Sequence, residues 1–177
     1  VLFNEGDSGD RLYILLTGKV KLGHTSVDGR ENLLAVLGPG EVVGELTLFD
    51  PGPRSTTATA VATTELLALE HNQLMGFIDS HPTLAKDMLR ALAVRLRRTN
   101  IALADLVFSD VPGRVAKALL DLAERFCAPT EDGIHVPHDL TQEELAQLVG
   151  TSRETINKSL AEFVSRGWIR LEGRAVT

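Results

Sequence analysis

In the stretch "GELTLFDPGPRS", residues 44–55, the groups suited to chemistry are a carboxylate, Glu45, and a cation with an adjacent hydroxyl, Arg54 and Ser55. Pro51, Gly52 and Pro53 stiffen the loop that joins them. An arginine beside a serine, helped by backbone N–H groups at the turn after Gly44, can neutralise a phosphate. Glu45 can accept from a sugar hydroxyl, and Gly44, having no Cβ, lets backbone approach closely. These groups suit a small cyclic phosphodiester that carries a ribose hydroxyl. They would serve equally as a surface salt bridge in a hairpin loop, which is worth little. Local spacing does not decide between the two.

A second constellation lies in "TSRETINKSLAEF", residues 151–163. Arg153, Glu154 and Lys158 sit near a helix start at i, i+1 and i+5, so they can share a groove-facing surface. Arg can pair with the N7 and O6 edges of guanine, Glu can accept from cytosine, and Lys can donate to guanine. Ser152, Thr155, Thr141 and Gln142 offer phosphate contacts beside helix N-termini. The competing reading is a solvated helix face of mixed charge.

The elements that must position these groups fit a chain of 177 residues, 44% apolar and 24% charged, which is enough for one or two small domains. Net charge is −6, so any DNA contact must come from a local cluster. Residues 110–177 carry 8 Lys plus Arg against 11 Asp plus Glu, so binding should be site-focused and salt-dependent. No run of apolar residues is long enough for a membrane span, and the start shows no signal-peptide pattern; with a single cysteine in the chain, a cytoplasmic location is expected. The lone Cys127 excludes a disulfide framework and is expected to be a buried core thiol. "VLFNEG" enters a turn with no initiator Met, and "IRLEGRAVT" stops inside a hairpin, so residues are expected to be missing at both ends. "LGPGEVVGEL" lacks the GxGxxG spacing of a dinucleotide site. No Ser/His/Asp order, metal constellation or convincing carboxylate pair points to an enzyme.

Residues 1 to about 70 read as short β runs: "RLYILL", "KVKLGHT", "RENLLAVL", "TTATAVA" and "ELLALE". Turns fall at Thr17-Gly18, Val27–Gly29 and Gly38–Gly40, a pattern for a sandwich or barrel. Residues 82–108 read as a helix with Pro82 in its first turn. Ala85, Leu89, Leu92, Leu96, Thr99, Leu103 and Leu106 step 4, 3, 4, 3, 4, 3, the heptad seam of a helix that pairs with another. A helix packed on its own domain is the alternative. The narrow stripe, with Lys86, Arg90, Arg97 and Arg98 on the other face, favours a dimer. Ser109 or Asp110 can cap a new helix with Pro112 in its first turn, which makes "DVPG" a domain boundary. "CAPTEDGIHVPHDL" reads as a polar loop with a short β element. Its His135 and His138 have metal-like spacing but read as ordinary surface histidines. Thr141 and Glu144 form a capping box, Gly150 can take the left-handed conformation, and Ser152 caps the next helix. That is helix-turn-helix geometry, with Leu145, Leu148, Val149, Ile156, Leu160 and Phe163 inward and a wing turning at Glu172-Gly173.

"GELTLF…RS", "RLRRTN", "DVPGRVAK" and "TSRETINKSL" before "GWI" together resemble the cyclic AMP receptor protein (CRP/FNR) family of bacterial transcription regulators, over nearly the whole chain. The likeness is greatest to the actinobacterial global regulators. The resemblance implies an α+β fold. Residues 1–81 would be a jelly-roll-like β-barrel that binds cAMP, 82–109 a dimerisation helix, and 110–177 a winged helix-turn-helix. By position, Gly44, Glu45, Leu46, Arg54 and Ser55 match the ribose-phosphate cassette, and Arg95 a helix position near the ligand. Thr99 and Asn100 match residues that reach the adenine, one from each subunit. This would explain the polar seam position. Leu22, Leu34 and Leu37 match the apolar wall around the base. Arg153 and Glu154 match the base-reading pair, and Lys158 stands where the best-known members have Arg. Asp110 is the implied hinge. The implied partners are double-stranded DNA at TGTGA-type palindromes, a second copy of the chain, and RNA polymerase, touched by residues 128–135. Arg-Ser rather than Arg-Thr fits cAMP over cGMP. The cysteines of the iron–sulfur branch and a recognisable haem-ligand pair are not seen. A regulator of the same architecture whose β domain senses another small molecule, or none, is the alternative.

Overall fold

The computed structural model describes residues 1–130 and 133–177. They form two compact units. One comprises residues 1–30 and 35–103, the other residues 31–34 and 104–177.

The first unit contains strands β1 (Arg11–Thr17), β2 (Val20–Thr25), the part of β3 (Glu31–Leu37) from residue 35 on, and β4 (Val42–Val43), then the single-turn helix α1 (Leu46–Phe49). Strands β5 (Thr57–Ala60) and β6 (Glu65–Glu70) follow, then helix α2 (His71–Ser80) and helix α3 (Pro82–Phe108) as far as residue 103. The strands make two three-stranded sheets, ordered β4-β1-β6 and β3-β2-β5. β1 lies antiparallel to β6 with Leu12 opposite Leu69 and Ile14 opposite Leu67. Alternation along β1 explains its double duty, since side chains of opposite parity leave opposite faces. Leu15 joins Phe3, Val20, Leu22, Leu37, Val43 and Ala58 in the core between the sheets. Leu12, on the other face, packs with Leu48 of α1 and Leu74 of α2. The fold is α+β with a jelly-roll-like β domain, as the family resemblance implies.

One element here departs from the sequence reading. α2 occupies a segment given no helix there; Gln73 turns back to accept from the Glu70 N–H at 3.0 Å, closing its first turn. α3 runs its full 27 residues with no buried residue. The seam leucines 89, 96, 103 and 106 are exposed, Leu103 by 63%. Ala85 and Leu92 are half-buried.

The second unit contains α4 (Val111–Phe126), β7 (Ala128–Thr130), β8 (Gly133–Pro137), α5 (Gln142–Val149), α6 (Arg153–Ser165) and β9 (Ala175–Val176). α4, α5 and α6 pack on one another. They bury Val115, Leu122, Leu145, Ala146, Val149, Ile156, Ser159, Leu160 and Phe163. Leu148, expected inward, is half-buried. The short β element expected in the polar loop is a strand pair, and the sheet runs β7-β8-β9. The wing turns as predicted: Gly173 takes φ +67°, and Glu172 and Ala175 exchange backbone hydrogen bonds of 3.0 and 3.1 Å. Cys127 is a correction. It is exposed, because α4 ends at Phe126 and Cys127 takes an extended conformation as its C-cap. Among the described residues no helix is long and apolar enough to cross a membrane.

Candidate functional site

The cassette begins where β4 ends. Gly44 has φ +83°, and a Cβ there would fall 2.5 Å from Arg54 Nη1, so glycine is required on both counts. Glu45 then enters the α1 turn. Arg54 is fixed by its backbone to the N-terminal segment: its N–H donates to Asp7 O at 2.8 Å, and its carbonyl accepts from Gly6 N at 2.9 Å.

Both candidate charges are buried, Glu45 to 2% exposure and Arg54 to 4%. The surface salt-bridge reading therefore fails, because neither side chain is at the surface and they do not pair with each other. Arg54 Nη1 donates to Gly44 O at 2.6 Å and to Thr47 Oγ1 at 3.0 Å, and Nη2 donates to Arg11 O at 2.6 Å. Its guanidinium lies 4.3 Å from the centre of the Phe3 ring. Arg54 thus contacts three neutral oxygens and an aromatic face, and among the described residues no carboxylate forms a salt bridge with it. Burying a charge unpaired is costly, and Arg54 Nε is buried with no acceptor.

Glu45 presents the complementary gap. Arg95, from α3, donates Nη1 to Glu45 Oε1 at 2.7 Å and Nη2 to the Val42 carbonyl. Glu45 Oε2 is buried with no donor. One buried donor and one buried acceptor therefore await partners in a single cassette. An anion bearing a hydroxyl would supply both.

Arg11 contributes its carbonyl to this cradle while its side chain grips Asp10, with Nε to Oδ1 and Nη2 to Oδ2 both 2.9 Å. That bidentate grip holds the Asp10 carboxyl below its ordinary value and raises the Arg11 guanidinium above its own.

The other cassette candidates are placed less uniformly. Ser55, Leu46, Thr99 and Asn100 are exposed. The Thr99 hydroxyl donates to its own helix, to Arg95 O at 3.1 Å. Leu22 and Leu37 belong to the core between the sheets. Leu34 is half exposed. Sequence reasoning missed Phe3, Gly9, the Arg11 carbonyl and Thr47. Only Thr47 had a signal, lying inside the quoted motif.

In the second unit the caps are as read. Thr141 N donates to Glu144 Oε2 at 2.7 Å, and Glu144 N donates to Thr141 Oγ1 at 3.2 Å. Gly150 is left-handed at φ 72° and ψ 49°. A Cβ there would meet Leu106 Cδ2 at 2.8 Å. Ser152 Oγ accepts from Thr155 N at 3.2 Å and lies 2.8 Å from Thr155 Oγ1. The hydroxyls of Thr141, Ser152 and Thr155 are thus engaged in caps, while Gln142 is exposed. Arg153, Glu154 and Lys158 are exposed on α6. Arg153 and Glu154 lie in its first turn, where an element entering a groove would present them.

Asp110, the expected hinge, caps α4 by accepting from Gly113 N at 2.9 Å. Arg114, unremarked in the sequence, ties the end of α3 to the end of α5. It donates to Ser109 O at 2.9 Å, Val149 O at 3.1 Å and Gly150 O at 3.3 Å. Lys117 bonds Asp105 and holds its carboxyl below the ordinary value, with help from the Ser109 hydroxyl. His138 corrects the expectation of two surface histidines. It is 2% exposed, and its Nδ1 accepts from Leu140 N at 3.1 Å. Among the described residues no cluster of three metal-ligating side chains occurs.

Residues 1–81 match the cyclic nucleotide-binding domain, and residues 113–177 match the Crp-like helix-turn-helix domain. The chain is 55% identical over 175 residues to a CRP-like cAMP-activated global transcriptional regulator from Mycobacterium tuberculosis, covering 99% of this chain and 78% of that protein. It is 41% identical to the cyclic AMP receptor protein of Thermus thermophilus, covering 96% of this chain and 76% of that one. A CRP-family transcriptional regulator from Thermus thermophilus has the same fold, with a TM-score of 0.83 at 29% identity, covering 99% of this chain and 86% of that one. These relatives are regulators, not enzymes. A cyclic nucleotide-binding domain followed by a Crp-like helix-turn-helix places this chain in the CRP/FNR family of DNA-binding transcription regulators.

Proposed function

We propose that the chain is a homodimeric, cAMP-responsive regulator that binds palindromic operators with TGTGA-type half-sites. The observation that carries this is the pair of incomplete buried groups, Arg54 Nε and Glu45 Oε2. A cyclic phosphodiester fits both. A phosphate oxygen would satisfy the Arg54 Nε–H and supply the missing counter-charge, with the Ser55 hydroxyl adding a donor. A ribose hydroxyl would donate to Glu45 Oε2. The 55% identical relative is named as cAMP-activated, which favours that nucleotide. Thr99 and Asn100 would face the adenine, and Leu22, Leu34 and Leu37 would serve as its apolar surroundings.

Residues 1–81 serve as the ligand domain, 82–109 as the dimer helix and 110–177 as the DNA-binding domain. The exposed leucines of α3 form the dimer seam. Ligand grips Glu45, Glu45 grips Arg95, and Arg95 is part of α3. Ligand affinity thereby differs between two arrangements of the helix pair. The Asp110 hinge then sets the separation of two recognition helices at roughly 34 Å. Arg153 and Glu154 read bases. Lys158 donates to guanine as a single point, without the rigid fork of an arginine. A polymerase contact by residues 128–135 belongs to this reading, although residues 131–132 lie outside the described ones. The protein works in the cytoplasm.

Calorimetric titration of cAMP tests the site. The parent chain should bind, and Arg54→Ala should not, with its far-UV circular dichroism unchanged. Parent-like affinity in Arg54→Ala would refute the assignment. No binding by the parent would favour a regulator of this architecture that answers to another small molecule. A gel shift on a TGTGA palindrome, with and without cAMP, tests the DNA half of the proposal.

A further inference from the structure

Thr47 sits on the single turn of α1, 9% exposed. Its hydroxyl donates to Gly44 O at 3.3 Å and accepts from Arg54 Nη1 at 3.0 Å. The one hydroxyl proton is committed to the carbonyl, so the lone pairs are left to the guanidinium. A β-branched side chain has restricted χ1 freedom, and Gly9 restricts it further. A Cβ on Gly9 would fall 2.2 Å from Thr47 Oγ1, 2.7 Å from Thr47 Cβ and 2.9 Å from Arg54 Cζ. The backbone at Gly9 therefore closes the cradle on the side of Thr47 and Arg54.

A guanidinium carries its five N–H groups in one rigid plane. Gly44 O and Thr47 Oγ1 share Nη1, and Arg11 O takes Nη2. Acceptors on the two Nη atoms alone would leave the plane free to rotate about the Nη1–Nη2 line; the third acceptor, Thr47 Oγ1, removes that freedom and fixes where the Nε–H points, and that is the group without an acceptor. Two of the three holding oxygens are backbone carbonyls, which the chain supplies whatever the side chain. Thr47 is the part of the cradle that sequence can change.

We propose that Thr47 is a positioning residue for anion recognition, its hydroxyl orienting Arg54 so that the Nε edge faces the phosphate. This rests on the reading of Arg54 as the phosphate ligand. Replacing the hydroxyl by a methyl keeps the volume of the side chain and leaves Nη1 with a single acceptor. The guanidinium plane can then tilt about its remaining bonds.

The experiment is calorimetric titration of cAMP into the parent chain and the Thr47→Val, Thr47→Ser and Arg54→Ala variants, each checked by far-UV circular dichroism. Thr47→Val should bind about tenfold more weakly, the scale of one lost hydrogen bond to a charged group. Thr47→Ser should return to within about threefold of the parent, because the hydroxyl and not the methyl is at issue. Parent-like binding by Thr47→Val, or Thr47→Ser as weak as Thr47→Val, overturns the role of Thr47 while Arg54→Ala still loses binding. Parent-like binding by Arg54→Ala, or no binding by the parent, overturns the phosphate reading and this proposal with it.

Discussion

Replacing Arg95 by Met isolates the link between the ligand cassette and the long helix. Methionine keeps much of the aliphatic length but removes both hydrogen bonds, to Glu45 Oε1 and to the Val42 carbonyl. Glu45 would then be a carboxylate at 2% exposure with neither oxygen partnered. Stripping one partner from a fully buried ion pair costs about 3–5 kcal/mol. The Arg95 side chain is 31% exposed against 3% for Glu45, so solvent already screens part of the attraction, and about 2–3 kcal/mol is the expected loss. The double variant Glu45→Gln with Arg95→Met removes the stranded charge and should recover about 1 kcal/mol of that. Urea unfolding followed by far-UV circular dichroism gives the values. The sole tryptophan, Trp168, lies in the second unit, so its fluorescence serves as an internal control that should not shift. A loss below about 0.5 kcal/mol in the single variant, or no recovery in the double, would refute the argument that this pair is a buried, energetically committed contact.

The Asp105 carboxyl is lowered from its ordinary value of 3.8, first by the Lys117 hydrogen bond and then by the Ser109 hydroxyl. A lowered carboxyl contributes stability that is complete above pH 3.8 and lost as pH falls below it through the folded-state value. Asp105→Asn should therefore be less stable than the parent at neutral pH, with the gap closing in acid; a gap independent of pH between about 2 and 7 would contradict this. Arg153→Ala should cost about 1–3 kcal/mol on a cognate half-site in fluorescence anisotropy and far less on random DNA; equal losses would make it a phosphate contact.

Much of the second unit is readable because its signals are local. The Thr141–Glu144 box, the left-handed Gly150 and the Ser152 cap each act within a few residues, so type and spacing suffice. α2 was not readable by the same means, since its N-cap is Glu70 and not one of the favoured Ser, Thr, Asp or Asn. Cys127 was misplaced because the apolar period continues one residue beyond the point where α4 stops. The candidate site was legible as residue types but not as contacts. Glu45 and Arg95 are separated by 50 residues, and no local pattern announces that pairing. The acceptors of Arg54 are largely backbone carbonyls, which every residue carries. Thr99 stood out as the polar member of an apolar seam, yet its hydroxyl is satisfied by its own helix. Polarity in a sequence marks a position without saying what it bonds.

The most direct test is a paired calorimetric titration of the parent chain with cAMP and with 2′-deoxy-cAMP. If the Glu45 Oε2 left without a donor is the ribose acceptor, the deoxy analogue should bind at least about tenfold more weakly, since the carboxylate oxygen then stays buried and unpaired. Equal affinity for the two nucleotides would contradict the account.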